Sequence, residues 1–331
     1  MKALVFDEVG GEISLQELKN PVCPPGGAVI GVRATGVCRS DWHAWRGHDP
    51  VALPHVPGHE FAGVVVSSDA ERFAVGDRVT APFVNGCGEC DYCRSGNAQI
   101  CPAQTQPGFT HHGSFAERVV VRAADTNLVR LPEEIDFVAA AALGCRFATA
   151  FRALRGMHPR ETVAVYGCGG VGLSVVMIAV ALGARVLVVD PSPAARAAAA
   201  GLGAVPKAEI AGEADVAIDA YGSAATAMAS VRSLRRGGRH VQVGLMLGDD
   251  ARAPLPWDLV VAHELTVAGS HGMAAADYPA MLDLVVSGRL NPRRLVGSTV
   301  PLADAGRALM AMDDPIARSA GIVVAVNEYA G

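Results

Sequence analysis

An apolar run from Thr162 to Tyr166 leads directly into GCGGVG at residues 167–172, and only one residue between Gly170 and Ala184, Ser174, is polar. A strand, a GxGxxG loop and a helix in immediate succession commit this part of the chain to a parallel, nucleotide-binding sheet. Gly167, Gly169 and Gly172 sit where the chain needs, in turn, a tight bend, close approach of backbone to a pyrophosphate, and close packing of helix on strand. Each of these excludes a side chain. Gly170 and Val171 then open a helix whose unpaired N–H groups favour a phosphate. The apolar stretch is shorter than the roughly 20 residues a membrane span needs. It ends at Arg185, so it reads as a helix buried between a sheet and its neighbour.

Strands and helices alternate on either side of this unit. Strands are expected at Arg185 to Asp190, Asp215 to Ala220, His240 to Gly244 and Leu265 to Ala268, with helices from Val171, Pro193 and Ala224 and near Asp277 to Ser287. Such alternation defines an α/β, doubly wound parallel sheet. Upstream the pattern is different, with short strands punctuated by Gly and Pro: Lys2 to Phe6, Ala28 to Ala34, Phe61 to Ser67, Arg78 to Ala81 and Phe115 to Arg122. That spacing indicates a β-rich domain. An Ala-rich helical stretch ending near Gly156 bridges the two. A chain of 331 residues, half of them hydrophobic, is long enough for two cores. The expected division is 1–145, completed by 291–331, and 146–290.

Asp190 ends the second strand of the nucleotide unit, 23 residues after Gly167. A carboxylate there accepts hydrogen bonds from the adenosine ribose hydroxyls and repels a 2'-phosphate. Pro191, Ser192 and Pro193 follow it without an arginine, so NAD is expected over NADP. Asp219, Gly222 and Gly244, at later strand ends, are further candidates for cofactor contact.

Cys87, Cys90, Cys93 and Cys101 read as CxxCxxCx7C, a complete ligand set for one tetrahedral zinc. Four thiolates leave the ion with a net charge of about −2, which makes it a poor Lewis acid and therefore a staple for the long polar segment 83–112. An iron–sulfur cluster or a nucleic-acid zinc ribbon would use the same residues. A net charge of −5 and a pI near 6.1, without a basic stripe, exclude nucleic acid as a partner. Cys23 and Cys168 are left over and read as packed thiols. Cysteines spaced for metal and an N-terminus without a signal-like apolar run point to the cytoplasm and away from a membrane.

Five segments, CRSDWHAW at 38–45, PGHEFAGVV at 57–65, CGECDYC at 87–93, GCRFATA at 144–150 and GCGGVG, occur in the order found in the zinc-containing alcohol dehydrogenases of the medium-chain dehydrogenase/reductase superfamily, which this chain resembles nearly end to end. The resemblance implies a GroES-like catalytic domain, its structural zinc lobe at 83–112, joined to a Rossmann NAD-binding domain. It also implies a second zinc on Cys38, His59 and Cys145. Two thiolates and an imidazole leave that ion electrophilic and one position open, so that a coordinated alcohol loses its proton near neutral pH and can expel hydride.

By the same resemblance, Asp41 fixes the far ring nitrogen of His59, Glu60 stands behind the metal, and Ser40 passes the substrate proton on to His43, whose ordinary pKa near 6.5 suits a base. Arg39 is assigned to the pyrophosphate and Thr149 to the nicotinamide. Trp42, Trp45, Phe83, Phe109 and Met273 are candidates for an apolar pocket, which favours an alkyl or aryl alcohol, with its aldehyde or ketone, over a polyol. A tetramer is favoured over a dimer. The rival readings are a zinc-free reductase, which has no use for Cys38, His59 and Cys145, a polyol or amino-alcohol dehydrogenase, in which an acid can replace the third cysteine, and an inactive nucleotide-binding homologue.

Overall fold

The computed structural model describes residues 1–314 and 321–329. Thr149–His271 forms one compact unit, and Met1–Ala148 with the described part of Gly272–Gly331 forms the other. The return to the first unit comes at Gly272, earlier than the expected 291. Met273 and Tyr278 are fully buried there, and the Tyr278 hydroxyl donates to the Gly144 carbonyl at 3.1 Å. The helix Tyr278–Val286 is therefore anchored to the first unit, although its apolar pattern continues the alternating series before it.

The unit Thr149–His271 contains six parallel strands in the spatial order Val205–Pro206, Arg185–Val189, Thr162–Tyr166, Ala214–Asp219, Leu234–Gln242 and Thr266–Gly269. Counted along the chain this is 3-2-1-4-5-6, the doubly wound order that reverses direction between the first and fourth strands. The helix Gly170–Ala181 leaves the first strand at that reversal and is buried from Gly172 to Ala179. The next helices start on side-chain caps: Ser192 accepts from Ala195 N with Pro193 at the first turn, and Ser223 accepts from Thr226 N. Each cap satisfies a donor that the helix cannot, worth about 1 kcal/mol.

In the other unit, seven strands form one sheet. Along it run Val296–Pro301, Ile322–Val326, Ala28–Val37, Glu60–Ser68, Arg78–Thr80 and Val129–Arg130, and Arg118–Val121 pairs with the N-terminal half of Ala28–Val37. The C-terminal strand Ile322–Val326 lies antiparallel to Ala34–Val37, opposite the end that leads into Cys38. Apolar side chains of Ala28–Val37, Glu60–Ser68 and Arg118–Val121 close one core. Lys2–Val5 and Ser14–Glu17 form a separate two-stranded ribbon, packed with Trp45, Phe115 and Leu302 in another.

Candidate active site

The catalytic candidates gather where two long strands of the first unit end. Cys38 follows Ala28–Val37 and begins the short helix Arg39–Trp45, and His59 comes immediately before Glu60–Ser68. Asp41 ties these two segments together. One carboxylate oxygen accepts from the backbone N–H of Cys38 at 3.2 Å; the other accepts from Gly58 N at 2.8 Å and from His59 Nδ1 at 2.9 Å. Gly58 has φ of +102°, and a Cβ there would come within 2.5 Å of Phe115, so only glycine admits this bend. Cys145 arrives on a single π-turn, Leu143–Phe147, a distortion that recurs at functional sites.

The donor atoms of Cys38, His59, Glu60 and Cys145 all lie within 4.8 Å of one another, and all four residues are buried. With Nδ1 committed to Asp41, His59 keeps Nε2 directed into this cluster without any partner. A buried imidazole nitrogen left bare costs free energy unless an ion takes it. The hydrogen bond from Cys145, with the positive charge of Arg146 and His59, outweighs burial and holds the Cys38 thiol well below its ordinary pKa. The Cys145 thiol is correspondingly raised by Cys38 and by burial. Burial opposes a charge on His59, but Asp41 raises its pKa well above the ordinary value. Two soft sulfurs and an oriented imidazole suit zinc, so the residues present fit a three-donor ion with room for a fourth ligand.

Cys87, Cys90, Cys93 and Cys101 also converge. The sulfur of Cys90 stands 3.6 Å from that of Cys93 and 3.7 Å from that of Cys101, with Cys87 and Cys93 at 4.0 Å. Four sulfurs each about 2.3 Å from one tetrahedral centre stand about 3.8 Å apart, whereas a disulfide brings two to about 2.05 Å. The set therefore fits a closed zinc site. All eight cysteines of the chain are free of disulfides. Cys168 is buried, and burial with Asp190 nearby pushes its thiol up to about 12.

Several sequence expectations take a different form. Arg39 stacks over the Trp42 ring at 3.6 Å and donates to the Met312 carbonyl at 2.8 Å. His43 lies 3.1 Å from His48, Nδ1 to Nδ1, and burial, with Arg39 and His48 adding to it, lowers its pKa to about 4, not the 6.5 expected. It is thus neutral at physiological pH, and a weaker base than an exposed histidine. Ser40 Oγ lies 3.8 Å from Cys38 Sγ. Among the pocket candidates, Phe83 and Phe109 flank the His59 ring at 5.9 and 5.2 Å between centroids. Trp45 and Met273 are core residues: Trp45 donates from Nε1 to Gly11 O. Trp42 is half-buried and donates to Asp313 at 2.7 Å.

In the nucleotide unit a Cβ at Gly172 would lie 1.8 Å from Gly167 O, while one at Gly169 would meet nothing within 4 Å, leaving open the space a pyrophosphate requires. Asp190 accepts from Cys168 N at 2.7 Å and Ser192 N at 2.8 Å, which orients its carboxylate. It lines a hollow of about 560 Å³ together with Val189, Pro191, Arg196, Pro206 and Lys207. No arginine follows Asp190 immediately in sequence, but Arg196, six residues on, reaches back to donate to the Asp190 and Pro191 carbonyls. Asp219 uses its carboxylate internally, accepting from Tyr221 N, Gly222 N, Thr226 Oγ1 and Gln242 Nε2, and Gly244 N donates to the Asp219 carbonyl. Thr149 is buried at the start of its unit.

Arg146 was missed. It pairs with Glu60 in the interior, and the signal was available: a charge beside Cys145 in an otherwise apolar helical run.

A dinucleotide sheet in one unit and a thiolate–imidazole donor cluster in the other define a metal-dependent nicotinamide dehydrogenase. Residues 24–133 match the alcohol dehydrogenase GroES-like domain family, and residues 170–287 match the zinc-binding dehydrogenase family. An alcohol dehydrogenase of Geobacillus stearothermophilus is 32% identical over 321 residues, spanning 88% of this chain and 90% of its own. A sorbitol dehydrogenase of Halalkalibacterium halodurans is 30% identical, over 94% and 96% of the two chains. The alcohol dehydrogenase TADH of Thermus sp. ATN1 superposes with a TM-score of 0.89 at 31% identity, over 99% and 100%. This chain belongs to the zinc-dependent alcohol dehydrogenases of the medium-chain dehydrogenase/reductase superfamily, and it moves a hydride between an alcohol and a nicotinamide cofactor. Among the described residues no helix is long and apolar enough to cross a membrane.

Proposed function

We propose that the chain interconverts a small apolar alcohol and its aldehyde or ketone, with NAD preferred over NADP and two zinc ions per chain, one on Cys38, His59 and Cys145 and one on the four-cysteine lobe. The bare Nε2 of His59, set by Asp41 among the two sulfurs, is the observation that carries this reading. When bound, zinc supplies Lewis acidity at the hydroxyl oxygen and the nicotinamide accepts the hydride. Cys38, His59 and Cys145 hold the ion, Phe83 and Phe109 keep the surroundings of His59 apolar, and Asp41 fixes the imidazole tautomer. Ser40 would relay the substrate proton, accepting it as its own hydroxyl proton leaves by way of the nicotinamide ribose hydroxyl toward His43, which is neutral above about pH 4 and so passes the proton on to solvent. Gly167, Gly169, Gly170, Val171 and Gly172 cradle the pyrophosphate, with Arg39, Thr149 and Gly244 as further contacts.

The carboxylate of Asp190 is the ground for preferring NAD, and Arg196 and Lys207 beside it narrow that preference. A polyol would need polar groups where the two phenyl rings stand. Homo-oligomers, a tetramer before a dimer, are supported by the outer edge strand Thr266–Gly269 and by Trp257 and Val261, which are 61% and 77% exposed on the helix Trp257–Ala262 that precedes it in the chain. A cytoplasmic location is supported by the unpaired thiols.

The test is a panel of alkyl, aryl and polyhydric alcohols and their carbonyl partners against both cofactors. Primary or secondary apolar alcohols with NAD are expected to give the highest kcat/KM. Equal efficiency with NADP removes the cofactor reading, and activity confined to polyols removes the substrate reading.

A further inference from the structure

A buried ion pair stands directly beside the donor cluster, and its two members adjoin two of the donors in sequence. Glu60 follows His59, and Arg146 follows Cys145. The contact is threefold: Arg146 donates from its backbone N and from Nε to Glu60 Oε1, each at 3.0 Å, and from Nη2 to Oε2. Forked guanidinium–carboxylate pairing of this kind is both strong and geometrically demanding. The sheet makes room for it: a Cβ on Gly36 would lie 2.3 Å from Glu60 Oε2 and 3.0 Å from Arg146 Nη2. Yet a Glu60 oxygen also lies within 4.8 Å of the Cys38 and Cys145 sulfurs and the His59 nitrogen, close enough for a small rotation to make it a fourth donor.

We propose that Arg146 is a positioning residue that withholds the Glu60 carboxylate from the metal and so reserves the fourth coordination place for substrate. This rests on the reading that Cys38, His59 and Cys145 hold the catalytic zinc. A carboxylate is an ordinary zinc ligand at about 2.0–2.2 Å, and a site with four protein ligands is closed to chemistry. Both oxygens of Glu60 are instead occupied by one side chain and one amide. Because Arg146 leaves the same π-turn as Cys145, the turn that delivers a donor also delivers the group that restrains a competitor.

Crystal structures of zinc-loaded wild type and Arg146→Met, with zinc release to a chromophoric chelator, test this. In the wild type the ion is expected on Cys38, His59 and Cys145 with Glu60 on Arg146. In R146M a Glu60 oxygen is expected within about 2.2 Å of the ion, with the catalytic zinc released about tenfold more slowly. Adding Glu60→Gln to R146M should restore the wild-type release rate. If R146M does not fold, Arg146→Lys, which cannot fork, is expected to slow release about threefold. An arginine that merely stabilises the fold would lower the melting temperature without bringing Glu60 to the ion. Glu60 ligating with Arg146 intact, Glu60 remaining clear of the ion in R146M, or unchanged release in R146K would overturn the proposal. An ion absent from the three donors in the wild type would overturn the zinc reading itself.

Discussion

Asp41 illustrates how one side chain assembles a site. It accepts from the segment carrying Cys38 and from the segment carrying His59, so it sets both the spacing of two donors and the tautomer of one. Asp41→Asn keeps the size but presents an N–H where one of these bonds needs an acceptor. Loss of such a partner typically weakens metal binding about 10- to 100-fold, and zinc titration of apo-D41N should fall in that range. Affinity within twofold of wild type would show that the ligands hold their geometry unaided. The contact between Asp41 and His59 was expected from the resemblance carried by CRSDWHAW and PGHEFAGVV, and the hydrogen bond to Nδ1 is present. For Arg146 the sequence shows an unusual charge beside Cys145 but not its partner, because Glu60 lies 86 positions away and no local spacing connects them. The lowered pKa of His43 has a different origin: Arg39 and His48 are close in sequence, but burial, the largest cause, is set by packing that no local pattern reports.

At the level of elements, the glycines of the loop differ in what surrounds them. Gly172 packs against the Gly167 carbonyl, whereas Gly169 faces open space. Gly172→Ala is expected to destabilise the protein by about 1–3 kcal/mol through overpacking, lowering the melting temperature. Gly169→Ala is expected to leave that temperature unchanged while weakening NAD binding about tenfold, because on the proposed reading its methyl group would enter the space meant for the pyrophosphate. Calorimetric Kd values and melting curves of both variants check this; a Gly169→Ala protein that binds NAD normally contradicts the assignment. The strands at Thr162, Arg185 and Asp215 were evident as apolar runs beside turn residues. Ser14–Glu17, Val205–Pro206 and Val296–Pro301 were not, being short and largely exposed. Leu234–Gln242 starts six residues before the expected His240, because its first half, RRGG, has the composition of a turn.

Taken whole, the chain carries most of its histidines where charging them is disfavoured. Burial lowers the pKa of His55, His111, His112, His240 and His271, and of His43 as well; only His59 is raised, by Asp41. Below about pH 6.5 the unfolded chain binds protons at the six lowered histidines that the folded chain does not, so these sites withdraw stability as pH falls, and the single raised site, His59, offsets only part of that. Urea denaturation midpoints should therefore decline steadily from pH 7 to pH 5. A midpoint that rises over that interval would mean these side chains are charged in the folded state. The two-unit division was legible from the change between β-rich and alternating patterns near residue 145, but the return at Gly272 depends on Tyr278 reaching Gly144, a contact 134 positions long.

The most direct test of the account is the zinc content of purified Cys38→Ser beside that of the wild type. Two ions per chain in the wild type, from its two donor sets, and one in the variant are predicted, the remaining ion being the one on Cys87, Cys90, Cys93 and Cys101. Two tightly held ions in Cys38→Ser, or a wild-type protein that holds only one, would contradict it.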